Sequence, residues 1–166
     1  MKTFFRKYMK LNNMLHKIVG WILFIILTSM SVLISWQVFA RFIIGESLTF
    51  SEEASRFLMV WLTMLGAAYA LKEGSLIAVD ILENKLAHTN IGRYIKIFML
   101  SLASIFYLIL IIEGWNMAQS ISFQIAPTTK ISMFWPALAI PAGGLIMLLN
   151  TVSILLEIYI KKGEVI

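Results

Sequence analysis

The sequence predicts an all-α integral membrane protein: four transmembrane helices, an N-terminal amphipathic interfacial arm helix, and both termini cytoplasmic. Three observations carry this. Of 166 residues, 60% are hydrophobic and 14% charged, with a mean hydropathy of +0.85; soluble domains carry about 25% charged residues, so this chain lacks the polar surface to cover a water-soluble globule. The apolar residues gather in four long runs separated by charged stretches. The basic residues fall mostly on alternate connections, as in a polytopic protein with a positive inner side. One membrane domain, 1–166, suits this length, with an arm at 1–17 and spans at about 18–40, 50–71, 95–118 and 133–158.

In the arm, Phe4, Tyr8, Leu11, Leu15 and Ile18 recur at three- and four-residue intervals, one helical face, while Arg6, Lys10, Asn13 and Lys17 fall opposite. Such a helix is expected to lie on the inner leaflet and contact membrane lipids; a disordered basic tail is the plainer alternative. Ile18–Ala40 is a run of 23 uncharged residues, about 34 Å as a helix, enough for a hydrocarbon core of roughly 30 Å. A secretory signal competes, but signal cores run only about 7–15 residues, so a retained span is expected.

Phe57–Leu71 has only 15 uncharged residues. Starting the helix at Thr49 or Ser51 restores the length; Thr49-x-x-Glu52 is then a capping box, with acids in a first turn where the helix dipole favours them. A third span begins near Ile97 and continues past Glu113. The fourth, Ile131–Leu156, holds 26 uncharged residues, with Pro136 suited to a first turn and Pro141 predicting a kink. Residues Leu76–Leu86 are compatible with a second, weaker surface helix. Eleven basic residues then share the side of the termini and three (Arg41, Arg56 and Lys130) the other, which places both termini inside.

Chemistry-bearing groups are few. Cysteine is absent and only His16 and His88 are present, so thiolate chemistry and a His-cluster metal site are not expected, nor any cofactor. No GxSxG, HExxH, P-loop or GxGxxG occurs. No carboxylate sits centrally in a span, where an ion-coupled carrier usually keeps one. The net charge of +5 reflects topology and headgroup contact, not nucleic acid.

The entrance to span two is the most informative stretch. Glu52 and Glu53 lie four and three residues before Arg56, within reach on a helix, and Arg41 after span one is positioned to join across a turn. Interfacial snorkelling is one reading; an outer-leaflet ion network, fixing span one to span two or to a partner, is the other. Gly66 with Ala70, and Gly143 with Gly144, supply small faces for helix packing, together with Trp61, deeper than a belt residue.

These residues also form an ordered pattern: Trp36-Gln37-Val38-Phe39-Ala40-Arg41-Phe42, Phe50-Ser51-Glu52-Glu53-x-x-Arg56, Trp61, Leu65-Gly66-Ala67-Ala68-Tyr69-Ala70, Ile77-Ala78-Val79-Asp80, Ile131-Ser132-x-x-Trp135-Pro136 and Ile140-Pro141-Ala142-Gly143. Over residues 18–158 the chain resembles the small membrane subunit of tripartite ATP-independent periplasmic (TRAP) transporters, the DctQ-like family. It departs at Ser75, after Lys72 and Gly74, where members often carry His. The resemblance implies a non-catalytic subunit of the bacterial inner membrane. Its partners would be a large multi-span subunit, which moves an organic acid such as a sialic acid or dicarboxylate with sodium, and a periplasmic substrate-binding protein. Outward loops carrying Gly45, Glu46, Ser47, Gln124, Thr128 and Lys130 would be available for docking that protein. Two other classes share this size: a four-span enzyme of the glutathione-transferase-like type, which needs an inward Arg and Tyr thiol site, and a small exporter, which needs a carboxylate in span one.

Overall fold

The computed structural model describes residues 2–45, 49–73 and 90–163; the 76–86 segment, Glu46 and Ser47 lie outside them. Helix α1 (Lys2–Phe39) passes into a π-helical turn (Ala40–Ile44), followed by α2 (Thr49–Glu73), α3 (Asn90–Ser120), a short α4 (Phe134–Ala137) and α5 (Ala139–Gly163). Among the described residues, four stretches are long and apolar enough to cross a membrane: Lys7–Ile43, Thr49–Glu73, Tyr94–Ser120 and Phe134–Leu156.

The arm and the first span form one helix. No proline and a single glycine, Gly20, occur between 2 and 39, so nothing ends the helix at residue 17. At 38 residues it is about 57 Å long, nearly twice the hydrocarbon thickness. It ends where the Gly45 N–H donates to the Ala40 carbonyl at 3.0 Å and Gly45 takes φ 80°, a left-handed conformation open to glycine. The fourth span is broken where proline requires it. Pro141 has no amide to offer the Ala137 carbonyl, and α4 and α5 are separated at Leu138.

The spans form a row: α1 packs on α2, α2 on α5 and α5 on α3; α1 also touches α5 where Tyr8 reaches Leu149, and among the described residues α1 and α3 do not pack. Helix α5 holds the centre because its adjacent glycines face different neighbours. A Cβ on Gly143 would lie 2.8 Å from Met64 Cβ and 3.2 Å from the Met64 carbonyl oxygen, on α2. One on Gly144 would lie 3.2 Å from Ile111 Cγ1 and 3.3 Å from Leu110 Cβ, on α3. Gly114 of α3 answers from the other side, its Cβ position 2.8 Å from Ile140 Cγ2. Below these contacts Ala68, Leu71, Tyr107 and Met147 form the buried core.

Five hydroxyls within the spans are satisfied locally. Ser31, Thr63, Ser101, Ser104 and Thr151 each donate to the carbonyl four residues earlier at 2.8–2.9 Å, as a medium without water demands.

Gly143→Ala is therefore expected to destabilise the protein by about 1–3 kcal/mol through overpacking. Gly66→Ala, where a Cβ meets nothing within 4 Å, should be neutral or slightly stabilising. Thermal unfolding in mild detergent compares the two, and equal stability of both variants would remove the α2–α5 close approach from this account.

Candidate functional site

The polar residues of α2 separate by helical direction. Consecutive positions diverge by about 100°, so Glu52 and Glu53 leave α2 on different faces. Glu52 accepts an i,i+4 hydrogen bond from Arg56 Nη2. Glu53 turns to the connection before α4: its Oε2 accepts from the Thr128 N–H at 2.9 Å and the Thr129 N–H at 3.1 Å, and its Oε1 from the Thr129 hydroxyl at 3.2 Å. Arg41 is exposed on the π-helical turn and among the described residues makes no ion pair with either carboxylate. The cluster of four expected from spacing is thus a helix-surface pair, a loop clamp and a separate arginine.

The clamped connection is a built hairpin. Ile125 and Ser132 form an isolated antiparallel bridge. The Ala126 N–H donates to the Ile131 carbonyl and the Met133 N–H to Gln124, both at 2.9 Å, and the Lys130 N–H to Ala126 at 3.1 Å. The Ser132 hydroxyl donates to the Ser122 carbonyl at 2.6 Å. Lys130 takes φ 57°, which costs a side-chain-bearing residue roughly 1–2 kcal/mol and persists where surrounding bonds over-determine it. Gln124, Thr128 and Lys130 are exposed on this hairpin, and Gly45 is exposed at the end of the π-helical turn. Alongside, the Trp61 indole donates to the Trp135 carbonyl at 3.2 Å. An open groove of about 300 Å³ runs between Phe50, Phe57, Trp61, Ile131 and Trp135.

At the opposite end of α2, His16 Nε2 lies 2.7 Å from Glu73 Oε1, and the imidazole stacks on Tyr69 with ring centroids 4.1 Å apart. Tyr8 donates to the Leu149 carbonyl at 2.9 Å, and Asn150 Nδ2 to the Ala68 carbonyl at 2.8 Å, fully inside the protein. The inward face of the arm therefore runs through Tyr8, Asn12, His16 and Val19. Leu15 is half-buried, while Leu11 and Ile18 stay exposed with Lys10 and Lys17. Of the apolar stripe expected to face lipid, Leu11 and Ile18 are exposed, while Tyr8 turns inward to Leu149; Asn12 is buried and His16 meets Tyr69 and Glu73 of α2. Phe4 and Arg6 belong to the first turns of the same helix.

Of the packing residues, Gly143 and Gly144 lie at helix contacts and Trp61 bonds α4. Gly66 meets no neighbour within 4 Å, and Ala70 beside it is half-buried. Sequence reasoning placed Tyr8 on the arm's membrane face without its bond to Leu149 and missed Asn150 and the Glu53 partners. Asn150 had a visible signal, as the single amide in Ile131–Leu156. Among the described residues, no three His, Asp or Glu side chains gather as a metal site.

This architecture defines a polytopic α-helical membrane protein whose polar side chains hold helices and a loop in place. Residues 30–159 match the sequence model of the tripartite ATP-independent periplasmic transporters, DctQ component, and the chain belongs to that family. A TRAP transporter small permease protein of Haemophilus influenzae is 34% identical over 119 residues, 71% of this chain and 67% of the relative. The sialic acid TRAP transporter small permease protein SiaQ of Vibrio cholerae is 27% identical over 140 residues, 81% and 80% of the two chains. The protein is thus a non-catalytic TRAP small permease subunit of the bacterial inner membrane.

Loss of the Glu53 clamp should loosen the hairpin alone. In Glu53→Ala the amides of Thr128 and Thr129 should exchange severalfold faster with deuterium, with the α2 and α5 amides unchanged; Glu52→Ala should leave the hairpin protected. Equal protection in both variants would show that the bridge at Ile125 and Ser132 suffices without Glu53.

Proposed function

We propose that this subunit braces a large multi-span membrane subunit while that partner moves an organic acid inward with sodium ions, and that its outer end helps dock the periplasmic substrate-binding protein. The observation that supports the brace most is the set of side-chain bonds to backbone atoms at several depths: Glu53 to Thr128 and Thr129, Asn150 to Ala68, and Tyr8 to Leu149. Such bonds resist sliding of one helix along another. The excess of basic residues on alternate connections supports cytoplasmic termini, which turns the clamped hairpin outward. Gly45, Gln124, Thr128 and Lys130 are then the exposed groups available to a docking protein, with Glu46 and Ser47 between the first two spans. Exposed Lys10, Leu11 and Lys17 suit inner-leaflet lipid. Arg41, Glu52 and Arg56 serve structure and assembly. A sialic acid is the organic acid favoured, since the Vibrio cholerae relative is named for it.

Gentle detergent extraction of the tagged chain with mass spectrometry of its companions tests the brace. A stoichiometric large apolar protein is expected, and a lone chain or homo-oligomer would overturn it. In cells, Arg56→Ala and Glu52→Ala should lower sodium-dependent uptake through reduced assembly while leaving substrate capture by the binding protein unchanged. Normal assembly and uptake in both would remove this pair from the function.

A further inference from the structure

Of the four spans, α2 is the least apolar, with a mean hydropathy of 1.4 against 1.9 to 2.5 for the others. Some of its polar groups turn inward: Ser51 and Ser55 are buried and Glu53 holds the hairpin. Others do not. Glu52, Arg56 and Thr63 are exposed, and at about 100° per residue they fall on one side of α2, away from the sides that meet α1 and α5. The Arg56 side chain is 74% exposed. A guanidinium has five N–H donors, and Glu52 is its one acceptor among the described residues.

The same side continues through Gly66, Ala67 and Ala70. Gly20, Gly114, Gly143 and Gly144 each have a heavy atom of a neighbour within 3.2 Å of the Cβ position, whereas Gly66 has none within 4 Å. Hydrocarbon offers no acceptor to a guanidinium. A lipid phosphate reaches Arg56 near the helix start but not Thr63, Gly66 and Ala67, two to three turns deeper. A second copy of this chain brings one arginine with every Glu52, so the shortage of acceptors stays.

We propose that this side of α2 seats a transmembrane helix of the large membrane subunit, close-packed on Thr63, Gly66 and Ala67, which presents to Arg56 a carboxylate or the free carbonyls of a helix end. This rests on the accessory-subunit reading above and adds to it the face that is used.

The test uses the intact transporter in its membrane. A photo-crosslinking amino acid replaces Thr63 or Ala67 and, for comparison, Leu102 or Phe106 on the exposed side of α3. Adducts with the large subunit are expected from 63 and 67. Ala67→Leu, exposed within its own chain, should lower the large subunit retained on extraction about tenfold with the thermal stability of the small subunit unchanged. Adducts from 63 and 67 with lipid alone, or with a second copy, overturn the proposal. So do large-subunit adducts confined to α3, which leave the accessory-subunit reading standing. If the unsubstituted chain is extracted without a large companion, that reading fails and the proposal with it.

Discussion

Everything in this fold depends on how closely α5 approaches its two neighbours. Between helices in hydrocarbon the hydrophobic effect supplies no drive, because lipid tails are as apolar as leucine, and association rests on contact and hydrogen bonds. Gly143 and Gly144 let the α5 backbone reach α2 and α3 at distances no larger residue permits. Adjacent residues on a helix point about 100° apart, so the pair recruits two helices to two sides of α5 and not a stack on one side. A row follows from that angle, with α1 added at the far edge of α2.

Close contact alone leaves helices free to slide, since one apolar turn resembles the next. What fixes their depth is that many of the polar bonds end on backbone atoms. Asn150 holds the Ala68 carbonyl, Tyr8 the Leu149 carbonyl, Trp61 the Trp135 carbonyl, and Glu53 the amides of Thr128 and Thr129. A backbone atom cannot change rotamer, so each bond sets an axial register. Each also removes an unsatisfied polar group from a medium that would penalise it. The pairs among side chains, Glu52 with Arg56 and His16 with Glu73, are more yielding by comparison.

The spans were legible because the uncharged runs leave few alternatives, and the family because its motifs occur in order. The packing was not. A helix apolar all round gives no stripe from which to read its contact face, so Gly66 and Gly143 look equivalent in sequence although one meets open space and the other Met64. Glu53 was read with Arg56 because a neighbour three residues away is visible and a loop 75 residues away is not. In the arm the apolar spacing marks a stripe for lipid but not the side that meets the protein, where Tyr8 bonds Leu149 and His16 meets Glu73.

These features have unequal mechanical consequences. Register-setting bonds lie near the start of α2 at Glu53 and toward its other end at Ala68, with the Gly143 contact between them, so the row resists shear of one helix along the next. Hinging about the long axes of the helices is resisted less: Tyr8 ties α1 to α5, but among the described residues α1 and α3 do not meet to close the layer. A closed bundle would hold its own cross-section; a row takes it from whatever it lies against. For a small permease subunit that division is apt. The protein keeps its own register, while its open layer leaves the curvature free to follow whatever surface it lies against.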